Sequence, residues 1–90
     1  MLFMVIEQFR HGDPKPVYQR FKERGRMLPE GLEYVDSWVT ADLHRCFQLM
    51  RSDHPDLLGQ WTAQWDDLVD FEIVPVITSK EAAEIQSSGT

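Results

Sequence analysis

LEYVDSWVTADLHRCFQLM, residues Leu32–Met50, decides the fold. Two runs, LEYVDSWV and LHRCFQLM, alternate apolar with polar side chains on either side of the short turn TAD. A period of two over such lengths marks half-buried strands, and two strands a few residues apart make a β-hairpin. The hairpin also carries the only cysteine, Cys46, two residues after His44. Side chains at that spacing on a strand point the same way, roughly 6–7 Å apart. His-x-Cys can be a nucleophile with its base, half of a metal site, or ordinary strand chemistry. A reactive thiol needs a cation or helix N-terminus to lower its pKa. A metal site needs more ligands close by, and His11 and His54 belong to other loops. The ordinary strand reading is preferred.

Upstream, LFMVIEQF (residues 2–9) reads as a strand, and RHGDP as a turn. Asp13 is suited to cap a helix whose first position is Pro14. Val17, Tyr18, Phe21 and Leu28 recur at helical spacing, with Gly25 on the same side, which predicts a helix from 14 to about 25. Downstream, SDHPD opens a second helix, with Asp53 as cap and Pro55 in the first turn. Leu57, Leu58, Trp61, Trp65 and Leu68 form its apolar stripe. VDFEIVPVI (69–77) is a last strand. Pro75 has no N–H for a ladder hydrogen bond, which places this strand at a sheet edge. Residues 1–77 thus form a single domain, and residues 78–90 a tail that is a short helix or disordered.

The order β-α-β-β-α-β, with short connections and right-handed crossovers, predicts an α+β, ferredoxin-like fold. Its antiparallel sheet has four strands in the order 4-1-3-2, with two helices on one face. Strand 4 then lies at an edge, in agreement with Pro75. Six of the nine basic residues (Arg10, Lys15, Arg20, Lys22, Arg24, Arg26) fall between 10 and 26, whereas Asp53 to Glu72 contains acids and no Lys or Arg. This topology sets the basic helix beside the acidic one, so complementary fields account for the segregation.

The net charge of −6 and pI near 4.8 argue against nucleic-acid and anionic-membrane partners. No signal peptide or spanning segment is recognised at the start, and one unpaired cysteine suits a reducing cytosol, so a cytoplasmic location is expected. No metal or cofactor motif is present. A 90-residue chain buries only about 60–65% of the surface its unfolded form exposes. Pairing with a second copy is a common remedy.

Both sheet faces are apolar. Leu2, Met4, Ile6, Trp38, Phe47 and Leu49 dominate one, to which Leu32, Tyr34, Phe71 and Ile73 are also assigned. This is the richer face and is expected under the helices. Phe3, Val5, Glu7, Phe9, Cys46 and Met50 fall on the other, with Glu72, Val74 and Val76. Two helices cannot cover both, so the second face is expected to pack on its equivalent in a homodimer. With an even hairpin loop, Trp38 pairs with Arg45, Asp36 with Phe47 and Tyr34 with Leu49. An odd loop shifts this register.

The segments GRMLPEGLEYVDSWV, RCFQLM and QWDDLVDFEIVPV resemble domain of unknown function 3303, a family of short, mostly bacterial proteins. The resemblance covers roughly residues 1–77. It implies a dimeric α/β barrel of ferredoxin-like topology and no agreed activity. More distantly, the architecture is similar to antibiotic-biosynthesis monooxygenases and muconolactone isomerases. No catalytic motif of theirs can be placed here residue by residue.

The candidate site from the hairpin is Tyr34, Asp36, Trp38 and Arg45, roofed by Trp61 and Trp65. Aromatic walls around one carboxylate and one guanidinium describe a small-molecule pocket. Asp36 is then the acid/base and Arg45 the holder of an anion or enolate, with Tyr34, Trp38, Trp61 and Trp65 as walls. The competing reading is plain tryptophan core with an Asp36–Arg45 structural ion pair. Glu7 and Glu72, expected on one face of neighbouring strands, form a weaker acid/base pair. RHGDPKP is a weak anion loop. The function expected is cofactor-free binding or conversion of a small aromatic or lactone-like molecule. The alternative is a non-enzymatic ligand-binding or regulatory dimerisation module.

Overall fold

Strands form where the alternation placed them. A computed structural model describes residues 1–88 and contains β1 (Leu2–Phe9), α1 (Lys15–Arg24), β2 (Glu33–Val39), β3 (Arg45–Arg51), α2 (Asp56–Thr62), β4 (Val69–Val76) and α3 (Ser79–Ser88). All strand pairs are antiparallel, in the order β2-β3-β1-β4. This is the expected α+β, ferredoxin-like arrangement, with Pro75 on an edge strand. The tail forms α3, which buries no residue. Its last two positions lie outside the described residues.

The face expected under the helices is the reverse of the one observed. Phe3, Val5 and Met50 pack with Leu58, Trp61 and Trp65 of α2 and the turns that follow it. Phe9, Cys46 and Val69 make a second cluster, and Val17 of α1 contacts both. Leu2, Met4, Ile6, Phe47 and Leu49 therefore point away from the helices. Two strands also differ in phase from the expected assignment. In β4, Phe71 sits opposite Glu7 and Ile73 opposite Val5, so these two join the inner face while Glu72, Val74 and Val76 join the outer one. In β2, a bulge between Tyr34 and Asp36 sets both Val35 and Asp36 against Leu49. Tyr34 then points inward while Trp38 points outward.

The hairpin register also differs, by two residues. Thr40 N–H donates to the Arg45 carbonyl (2.9 Å), so the loop spans residues 41–44. Trp38 faces Phe47, and Asp36 faces Leu49. Asp13 behaves as expected at the start of α1, its Oδ1 accepting from Lys15 N–H (3.1 Å). Asp53 does not cap α2, since it lies 3.6 Å from the terminal amine of Met1. The fields of the two helical segments meet at one bidentate pair, Arg20 with both oxygens of Asp67 at 2.7 Å. Among the described residues, no helix is long and apolar enough to cross a membrane.

Candidate ligand cavity

The inner face of the sheet is apolar but interrupted. Alternation along LFMVIEQF sets Glu7 in the inward row of Phe3, Val5 and Phe9, and alternation along β3 sets Gln48 between Cys46 and Met50. Glu7 is 5% exposed and Gln48 7%. Beside them lies a cavity of about 160 Å³. Glu7, Cys46 and Gln48 form its floor, Trp61 and Trp65 a wall, and the exposed Tyr18, Phe21 and Val39 its rim. Among the lining residues, Glu7 is the one carboxylate and Arg26 the one cation.

Arg26 is delivered there by backbone geometry. Gly25 ends α1 at φ 68°, ψ −159°, a conformation essentially reserved for glycine. The chain turns, and the Arg26 carbonyl accepts hydrogen bonds from two indoles, Trp61 Nε1 at 2.9 Å and Trp65 Nε1 at 3.1 Å. Trp61 in α2 and Trp65 in the turn after it thus clamp a backbone position far away in sequence. The guanidinium stacks on Tyr34, its Cζ 3.6 Å from the ring centroid, and lies 5.1 Å from that of Phe21. Its Nε donates to Gln48 Oε1 (3.1 Å), and Gln48 Nε2 donates to Glu7 Oε2. Gln48 therefore relays between cation and carboxylate. Arg26 makes no direct ion pair among the described residues.

Burial pushes the Glu7 carboxyl above its usual range, against the opposing pull of hydrogen bonds from Gln48 and Cys46 and the charge of Arg26. The Cys46 thiol is pushed up to about 12, first by burial and then by the neighbouring Glu7. It is a donor to that carboxylate rather than a thiolate nucleophile. A carboxyl that can hold or release a proton in a mostly apolar cavity is equipped for general acid–base chemistry, and a guanidinium nearby can hold an anion.

The six residues proposed from the hairpin are split between the two faces. Tyr34, Trp61 and Trp65 are on the inner face around Arg26. Asp36, Trp38 and Arg45 are on the outer one: Trp38 is 52% exposed, Asp36 accepts from Ser37 N–H (2.8 Å), and Arg45 lies over Phe47 (5.4 Å). The bulge turns Tyr34 inward, and α2 and the turn after it carry Trp61 and Trp65 to the face opposite Asp36, Trp38 and Arg45, whereas the two-residue register shift at the loop leaves the faces unchanged. Glu7 and Glu72 also part company, since Glu72 is opposite Ile6 on the outer face. His44 stays in the loop, exposed, 3.6 Å from Asp42. Among the described residues, no three metal-ligating side chains cluster. In RHGDPKP, the Asp13 carboxylate already occupies the start of α1. The inward row of β1 carried a sequence signal for Glu7. Arg26 had only the Gly25 that precedes it.

A family described as "Domain of unknown function (DUF3303)" matches residues 1–90, including the tail that the sequence resemblance stopped short of. No curated protein and no solved structure matches the chain.

Proposed function

We propose that this chain, which belongs to the domain of unknown function 3303 family, binds a small, mostly apolar ring molecule in the cavity between α1 and the sheet. The observation that carries the reading is Glu7, a carboxyl 5% exposed on the floor of an aromatic-walled cavity. Such a group is costly to bury and adds nothing to packing. At about 160 Å³ the space suits a single ring, since cavities of about 150 Å³ hold benzene. The substrate or ligand class is a small aromatic or lactone-like molecule. If it is converted, Glu7 moves the proton without a cofactor. Tyr34, Trp61 and Trp65 keep their proposed role as pocket framework, while Asp36, Trp38 and Arg45 belong to the outer face. The second reading, a binding or regulatory module without turnover, is favoured by one fact: Glu7 and Gln48 already satisfy each other within the chain.

Titration of isotopically labelled protein with phenol is the test. Amide shifts centred on Glu7, Cys46, Gln48 and Trp65, abolished by the rim-blocking Val39→Trp, support the cavity. Shifts scattered over the surface, or none, reject it.

The outer face supports pairing with a second copy, giving the dimeric α/β barrel. Leu2, Met4, Ile6, Phe47, Leu49 and Trp38 face away from the helices, a patch too apolar for a lone chain. Arg45, Arg51, Asp36 and Glu72 around it supply both signs, which a two-fold axis can match. Sedimentation at micromolar concentration should give twice the 10.5 kDa chain mass. Trp38→Glu should give a folded monomer. A monomeric mass for the native chain rejects the pairing. The single cysteine, buried and unpaired, suits a cytoplasmic setting.

A further inference from the structure

We propose that the cavity selects a single-ring carboxylate, with the acid group held by the outer nitrogens of Arg26 and the ring lying against Trp65 and the rim. This rests on the cavity being a ligand site and specifies its chemistry.

Four observations carry it. Arg26 is the sole cation among the cavity-lining residues. Its fork is fixed at the base, by Nε on Gln48 and by stacking on Tyr34, while its terminal nitrogens make no hydrogen bond or ion pair within the described residues. The residue's backbone is immobilised by two indole donors. Other arginines of the chain are engaged differently: Arg20 with Asp67, Arg10 with Asp70, Arg51 with Glu33. A planar fork with two free terminal nitrogens, pre-set by packing, matches a carboxylate in bidentate geometry. A phosphate monoester is larger and doubly charged, and Glu7 on the floor opposes a second negative charge. The apolar remainder of the lining sets the rest of the ligand as a ring rather than a polar chain.

Glu7 then sets the pH dependence. The groups facing it are Arg26 after α1, Tyr18 of α1, and Cys46 and Gln48 of β3. Tyr18 and Cys46 are both shifted upward and stay neutral through the working range. Ionising Glu7 places a negative charge near the bound carboxylate, so binding weakens as pH rises through the titration of Glu7.

The experiment compares benzoate with its neutral isostere benzamide by calorimetry on the full chain. The expected result is benzoate tighter by about tenfold or more at pH 6, the range of a charge-assisted hydrogen-bond pair. Arg26→Gln should erase that preference, and Arg26→Lys should restore only part of it. Glu7→Gln should keep the preference and flatten its decline as pH rises above 4.5 through the titration of Glu7. Equal binding of the two probes by the native chain overturns the proposal and leaves the cavity reading intact, and needs no variant to fold. Binding of neither probe overturns both readings.

Discussion

Glu7 occupies an inward position that Phe3, Val5 and Phe9 fill with apolar groups, and the carboxyl has a measurable thermodynamic signature. Its folded pKa is raised above the ordinary 4.5, so between 4.5 and that raised value the native chain binds more protons than the unfolded one. The contribution of this group to stability is therefore full below 4.5 and is lost as pH rises through the folded value. Glu7→Gln keeps an oxygen that accepts from Gln48 but cannot ionise. Its melting temperature should rise relative to the native chain as pH goes from 4.5 to 8, with the difference constant below 4.5. A pH-independent difference would show that Glu7 titrates as it does unfolded. The Arg26 carbonyl makes a second prediction. Trp61→Phe or Trp65→Phe each removes one of its two donors, at about 1 kcal/mol for the bond. The double variant leaves a partly buried acceptor unpaired, which costs about 1–3 kcal/mol more. Urea denaturation of the four-member cycle should show the double exceeding the sum of the singles. Glu7 was visible in the alternation of LFMVIEQF. Arg26 was not, because its place depends on indoles 35 and 39 residues further on.

Among the elements, β2 illustrates what a pattern can and cannot carry. LEYVDSWV alternates well enough to mark a strand, and its bounds fell within a residue of Glu33–Val39. One extra residue at a bulge leaves no trace in that alternation, yet it reverses which later side chains share a face with Tyr34. Every site residue assigned across the bulge was separated for this reason. Val35 is the extra residue and is 38% exposed. Deleting it should leave Tyr34 opposite Met50 and Asp36 opposite Leu49, in a straighter strand with both faces kept. Thermal melting should stay within a few degrees of the native chain. Deleting Ser37 also removes one residue, but seats Asp36 inward at the cavity and abolishes the Tyr34–Ser37 hydroxyl pair. Burying that carboxylate should cost about 2 kcal/mol or more. Equal stability of the two deletions would mean that β2 re-registers freely.

For the whole molecule, topology was legible because it follows from element order, short connections and the handedness of crossovers. The strand order and the edge position of Pro75 came out as expected. The choice of covered face did not. Both faces are apolar, so counting large side chains could not decide it, and the helices settle over the one that holds Glu7 and Gln48. The arrangement distributes three tryptophans unequally: Trp61 and Trp65 are 2% and 5% exposed beside the cavity, and Trp38 is 52% exposed on the opposite side of the sheet. The chain thus carries two separate optical reporters. Dilution should shift emission to longer wavelength through Trp38 alone, a change that Trp38→Phe abolishes. An aromatic guest should quench the inner pair without moving that band. Occupancy and self-association, which most assays of a small protein confound, can therefore be read as separate colours from one unlabelled sample.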